Sequence, residues 1–108
     1  MISDATIQRR VAKGVAWLDR HKRGWAHSID LKTLALESSR YCVLGQVFGD
    51  FWTALEQCQP KMTGRQQRSW VVGHGFADVK DSLSPNRYYY RLGLAWRPYI
   101  ARRQKRHP

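Results

Sequence analysis

Apolar residues recur every three or four positions in three separate stretches of this 108-residue chain. The first stretch contains Ile7, Val11, Val15 and Leu18. This spacing places the side chains on one face of an α-helix, with charged residues on the opposite face. Because each apolar face must be buried against another element, we predict a mainly α fold. The expected architecture is a compact bundle of about three principal helices, near residues 4–22, 40–58 and 85–101, with a loop-rich middle.

The second predicted helix carries the widest apolar face. Its members are Leu44, Phe48, Phe51, Trp52 and Leu55. We expect this face to form the centre of the core. Ser38 or Ser39 can cap the start of the helix, and the proline after Gln59 must end it.

The third predicted helix begins at Ser84 and Pro85, a capping residue followed by a proline that suits the first helical position. Its apolar face comprises Tyr89, Leu92, Trp96 and Ile100. Tyr88 and Arg91 are then expected to be exposed, and Pro98 is expected to kink or divide the helix. Between the second and third helices we predict a polar, basic linker over residues 60–69 and a short strand or helical turn over 70–76.

Glycines and one amide predict close contacts within this bundle. Gly14 lies within the first apolar face and indicates that another element packs closely there. Gly45 and Gly49 are four residues apart, which suits close contact with a neighbouring element, such as the first helix at Gly14, or with a second copy of the chain. We interpret Gln46 as an amide that binds the loop over residues 29–36, with a functional contact as the alternative.

The length of the chain supports one modest core, so we expect a single helical domain over residues 1–101 and a mobile basic tail over 102–108. No apolar run approaches the roughly 20 residues that a membrane span needs. Charged residues interrupt the first twenty positions, which is unlike a secretory signal. We therefore expect a cytoplasmic protein with no membrane partner.

The residues that carry most enzyme chemistry are sparse and poorly spaced. Cys42 and Cys58 are predicted to be small buried side chains, although a helix N-terminus at Cys42 would lower its pKa and favour a nucleophile. A zinc site would have to combine these cysteines with His27 and His74, and no close pair of ligands starts such a site. His74 lies between two glycines and is expected in a surface turn rather than as a catalytic base. We predict no enzyme activity, no cofactor and no metal.

Positive charge is the strongest functional signal in the sequence. The chain has a net charge of +11, of which residues 61–108 supply +9, and 13 of its 19 cationic residues are arginines. Clustered arginines attract phosphate backbones, and interleaved aromatic rings can stack on bases. The predicted nucleic-acid-binding residues are Arg65, Arg68, Arg87, Tyr88, Arg91, Arg97, Arg102, Arg103, Lys105 and Arg106. The alternative is a solvated basic surface that maintains solubility.

Two short motifs carry a resemblance to a known family. The chain contains Ile-Asp-Leu at 29–31 and Cys-Val-Leu-Gly-Gln at 42–46, and the likeness extends over nearly the whole sequence. It resembles a family of small uncharacterised proteins encoded by actinobacterial bacteriophages and sometimes by their hosts. The resemblance implies a phage-encoded protein acting in the host cytoplasm, and it implies no particular activity.

Two functional hypotheses follow from these observations. The first is a non-catalytic accessory protein that binds nucleic acid through its basic second half. The second is a phage effector whose basic second half binds an acidic patch on a host protein. A homodimer is compatible with either hypothesis.

Overall fold

The computed structural model describes residues 2–77 and 85–106. These residues form five α-helices and a 3₁₀ turn at Trp25–Ser28, and they contain no strand, which confirms the mainly α prediction. The helices are α1 Asp4–His21, α2 Val43–Phe48, α3 Phe51–Cys58, α4 Gly64–Gly73 and α5 Pro85–Gln104. Ser84, which was predicted to cap the last helix, lies outside the described residues.

Helix α1 matches its prediction closely. The Ser3 side chain accepts a hydrogen bond from the backbone N–H of Thr6, which caps the helix. The predicted apolar face is buried along its whole length. Gly24 follows the helix with a φ of +77°, a left-handed conformation that glycine adopts without strain. The chain therefore turns sharply into the 3₁₀ turn and returns to the core at Trp25.

The predicted second helix is wrong in its continuity, because two short helices replace it. Gly49 has a φ of +100° and ends α2, and the Asp50 carboxylate then accepts hydrogen bonds from the N–H groups of Trp52 and Thr53 to start α3. The cap of α2 is the Cys42 sulfur, which accepts from Gly45 N–H, rather than Ser38 or Ser39. This break changes the direction of α3 and leaves Trp52 66% exposed, so its predicted core position is also wrong.

The segment predicted as a linker and a strand or turn is helix α4. Thr63 and Gln66 form a reciprocal capping box, in which each side chain accepts from the backbone N–H of the other residue. The helix buries Val71 and half-buries Trp70. A basic, polar composition concealed this helix because few of its positions face the core.

Helix α5 runs without division through Pro98, which is exposed. It continues to Gln104, so the segment predicted as a mobile tail from residue 102 is helical over its first three residues. The Gln104 amide donates to the carbonyl oxygens of Ala26 and Ile29, at 3.0 and 2.6 Å, which holds the helix end against the 3₁₀ turn. His107 and Pro108 lie outside the described residues.

The core lies where α1 packs against α5. Trp96 is fully buried, and its indole N–H donates to the carbonyl oxygen of Gly75 at 2.7 Å. A Cβ on Gly14 would overlap the carbonyl oxygen of His74 and lie 2.9 Å from the Trp96 ring. The close packing predicted at Gly14 is therefore confirmed.

The predictions for the remaining glycines and for Gln46 have different outcomes. A Cβ on Gly45 would meet the backbone of residues 39–40, not the first helix, and Gly49 has no close neighbour. The Gln46 amide accepts from Asp30 N–H and donates to the carbonyl oxygens of Asp30 and Tyr41. Its predicted role in binding the 29–36 loop is confirmed.

Candidate nucleic-acid interface

The outer face of α5 brings together two of the predicted cations, Arg87 and Arg97. Successive helical residues are about 100° apart, so four exposed side chains fall within an arc of about 80° opposite the core. These residues, which we call the α5 outer face, are Arg87, Tyr90, Leu94 and Arg97. They span about 15 Å along the helix axis. Lys105, a further predicted cation, is exposed and follows the last residue of α5. The sequence of α5 contains no acidic residue, so no acid on this helix offsets the charge.

Tyr88 does not belong to this face, and its predicted exposure is wrong. It is buried, and its hydroxyl accepts a hydrogen bond from Arg10 at 2.7 Å. The buried face of α5 includes Tyr88, four residues before Leu92, whereas the prediction used Tyr89, three residues before it. Tyr89 is half-buried, and Tyr90 is 68% exposed. Of the three tyrosines at positions 88–90, Tyr90 is therefore the one whose ring is exposed.

Two of the predicted arginines are held by acids of α1. Arg91 pairs with Asp4 at 2.6 Å and donates to the carbonyl oxygen of Ile2. Arg103 donates to both carboxylate oxygens of Asp19, at 3.0 and 2.7 Å. Asp19 also accepts from the Trp25 indole, and these hydrogen bonds, led by that from Arg103, lower the pKa of its carboxyl. Arg91 and Arg103 thus stabilise the packing of α5 on α1.

The remaining predicted cations are exposed but have different surroundings. Arg102 folds back over the Tyr99 ring and donates to the carbonyl oxygen of Pro98. Arg106 follows the end of α5 and faces the 3₁₀ turn. Arg65 and Arg68 lie three residues apart on α4, on one side of that helix.

Two neighbouring grooves run beside the α5 outer face. The first, of 310 Å³, lies between α3, α4 and α5, and it is lined by Trp52, Arg68 and Tyr89 among others. The second, of 290 Å³, lies between residues 34–37 and α5, where Tyr90, Leu94 and Arg97 line it. Leu36, Glu37 and Tyr89 line both grooves, so the two adjoin each other, and we call them together the aromatic groove.

Most acidic side chains of the described residues are engaged elsewhere. Asp4 and Asp19 form ion pairs, while Asp50 caps α3 and Asp30 accepts from the N–H of Lys32. Glu37 is the one acidic residue that lines the aromatic groove within the described ranges. Among the described residues, acidic side chains therefore neutralise the positive charge of this surface only weakly.

Three residues of this surface were missed by sequence reasoning: Trp52, Tyr90 and Leu94. Trp52 could have been found from the Gly49–Asp50 pair, which combines a helix-ending residue with a helix-capping residue. Tyr90 and Leu94 lie four residues apart on the outer face, and Leu94 is 50% exposed. Together they offer exposed apolar surface that a ligand or a partner can cover.

No protein-family model, curated protein or solved structure matches this chain. The resemblance to the bacteriophage family therefore remains a prediction. Within residues 2–77 and 85–106, no helix combines the length and hydropathy that crossing a membrane requires.

The surroundings of Cys42, Cys58 and His74 bear on the chemical roles considered for them. Burial raises the pKa of the Cys42 thiol to about 11, so the lowered pKa that a nucleophile would need is not found. Burial also raises the pKa of Cys58 to about 11. His74 is half-buried and stacked on Trp70, and its Nδ1 donates to the carbonyl oxygen of that residue. Across the described ranges, no three His, Cys, Asp or Glu side chains come together as a metal site would require.

Proposed function

We propose that this chain is a non-catalytic protein that binds single-stranded nucleic acid along the α5 outer face and the aromatic groove. The observation that carries the proposal is the combination, on one surface, of two highly exposed aromatic rings, Trp52 and Tyr90, with Arg68, Arg87 and Arg97. A single strand offers unpaired bases to the rings and phosphates to the guanidinium groups.

Each part of this surface supports a distinct contribution to binding. The cations attract the phosphate backbone and release its counterions, which gives affinity that depends on salt but not on sequence. Stacking of a base on an aromatic ring contributes about 1–3 kcal/mol and depends little on base identity. A duplex buries its bases, so we expect weaker binding to duplex than to a single strand.

The stacking contribution is tested by fluorescence anisotropy with a labelled single-stranded oligonucleotide. We expect Trp52→Ala and Tyr90→Ala each to weaken binding by about tenfold, because each removes one stacking surface. Tyr41→Ala is the matched control, since Tyr41 is 45% exposed and does not line either groove. Equal affinity of the three variants and the wild type, or no binding to any single strand at about 50 mM salt, would contradict the proposal.

A phage effector that binds a host protein is the second candidate. Tyr90 and Leu94 form an exposed apolar pair between Arg87 and Arg97, and aromatic and arginine residues of this kind dominate many protein interfaces. An acidic patch on the partner would complement the arginines. A pull-down from nuclease-treated lysate of an actinobacterial host separates the candidates: a partner that survives nuclease favours the effector, and loss of all partners favours nucleic acid.

A further inference from the structure

A recess at the opposite end of the bundle from the start of α5 contains a second cluster of cations. It has a volume of 570 Å³ and lies between the end of α1, the 3₁₀ turn and the end of α5. We call it the terminal recess. Its charged and aromatic lining consists of Asp19, Arg23, Trp25, His27, Arg103 and Arg106.

The lining of the terminal recess has more positive than negative charge. Three arginines against one aspartate give the terminal recess a net charge of +2. Arg103 takes up both oxygens of Asp19, and Trp25 shares one of them. Arg23 and Arg106 are exposed, and neither forms an ion pair within residues 2–77 and 85–106. The guanidinium groups of Arg23 and Arg106 thus line the same recess as the Asp19 carboxylate, which already accepts hydrogen bonds from Arg103 and Trp25.

The network around Asp19 holds one guanidinium group in place before any ligand arrives. Arg103 uses two N–H donors on Asp19 and one on the carbonyl oxygen of Tyr99, out of the five that an arginine carries. Its side chain also lies over the Trp25 ring, with 6.0 Å from Cζ to the ring centroid. A fixed arginine with unused donors costs less entropy to engage than a free side chain.

We propose that the terminal recess binds a phosphomonoester, held by Arg23, Arg103 and Arg106. A phosphomonoester carries a charge of about −1.5 to −2 at neutral pH, which matches the charge of the lining, and its oxygens suit the guanidinium fork. The group can belong to a small molecule or to the phosphorylated end of a nucleic acid. The site is distinct from the α5 outer face, and its existence does not depend on binding there.

The experiment follows the Trp25 indole N–H by ¹⁵N NMR during titration with inorganic phosphate at constant ionic strength. This proton lies on Asp19 beneath the recess and reports on its occupation. We expect a saturable shift, with Arg23→Gln and Arg106→Gln each weakening phosphate binding by about fivefold, since both side chains are exposed and partly screened. Arg9→Gln, near the far end of α1, is the matched control and should bind phosphate as the wild type does.

Further arms identify the source of the phosphate. A nucleoside monophosphate tests small molecules, and a 5′-phosphorylated oligonucleotide compared with its 5′-hydroxyl form tests nucleic-acid ends. The double variant Arg87→Gln/Arg97→Gln should leave phosphate binding unchanged. A failure of phosphate binding in the terminal recess can therefore be distinguished from a failure of strand binding along α5. A shift that follows only ionic strength, or equal phosphate affinity in Arg23→Gln, Arg106→Gln and Arg9→Gln, would overturn the proposal.

Discussion

His74 illustrates how one residue makes the stability of this fold depend on pH. Its ring stacks on Trp70, with 4.6 Å between centroids, and its Nδ1 bonds the carbonyl oxygen of the same residue. Burial lowers the pKa of His74 below the ordinary value of 6.5, and the charge of Lys13 lowers it further against the opposing effect of the hydrogen bond. The folded protein therefore resists protonation of this ring.

The sign of the pH effect follows from proton binding. Below about pH 6.5 the unfolded chain takes up a proton at His74 that the folded chain binds only at lower pH. The contribution of the neutral His74 ring to the free energy of unfolding is therefore complete above this pH. It decreases as the pH falls towards the lowered pKa. We expect His74→Asn, which keeps a donor for the Trp70 carbonyl, to show a weaker loss between pH 7 and 5 in urea titrations. An identical pH dependence in both proteins would contradict this account.

At the scale of elements, the packing of α1 on α5 depends on the absence of a side chain at Gly14. A methyl group there would overlap the His74 carbonyl oxygen and press on the Trp96 ring. We expect Gly14→Ala to destabilise the protein by about 1–3 kcal/mol, because overpacking outweighs the gain of about 1 kcal/mol in helix propensity. Thermal or urea unfolding measures the effect.

The control for this substitution is another helical glycine, Gly73 in α4. A Cβ on Gly73 would meet no atom within 4 Å. Gly73→Ala should therefore be neutral or stabilising by up to about 1 kcal/mol. Equal effects of the two substitutions would contradict this account. They would show that helix propensity determines the effect at Gly14, and not the close packing of α5 and the backbone of residues 74–75.

The elements also show which parts of the fold a sequence can predict. The apolar spacing of α1 is local, and the helix was predicted from it. The break at Gly49 and the capping box at Thr63 are equally local, but a continuous apolar pattern hid the first and a polar composition hid the second. The extension of α5 to Gln104 depends on the carbonyl oxygens of the 3₁₀ turn, which come close only in the folded chain.

The candidate site also combines features that local sequence can predict with features that depend on distant contacts. Arg87 and Arg97 were both predicted as binding residues, and α5 carries both on its outer face. Ion pairs such as Arg91 with Asp4 join positions 87 residues apart, so no local pattern indicates them. Tyr88 was misplaced because a step of three and a step of four residues from Leu92 both fit a helix.

At the scale of the whole molecule, charge is distributed over more than one surface. The outer face of α1 carries Arg9, Lys13 and Arg20, and α1 packs against the buried side of α5. The net charge of +11 alone would attract any polyanion without choosing a face. The proposed binding mode requires instead that the phosphate backbone follow the α5 outer face.

The slope of log Kd against log salt concentration for a single-stranded oligonucleotide tests this requirement most directly. Each phosphate that a cation neutralises adds about 0.7 to the slope, so Arg87→Gln/Arg97→Gln should lower it by about 1.4. Arg9→Gln/Lys13→Gln removes the same charge from the outer face of α1 and should leave the slope nearly unchanged. Equal reductions in the two double variants, or a larger one from the α1 pair, would contradict binding along α5.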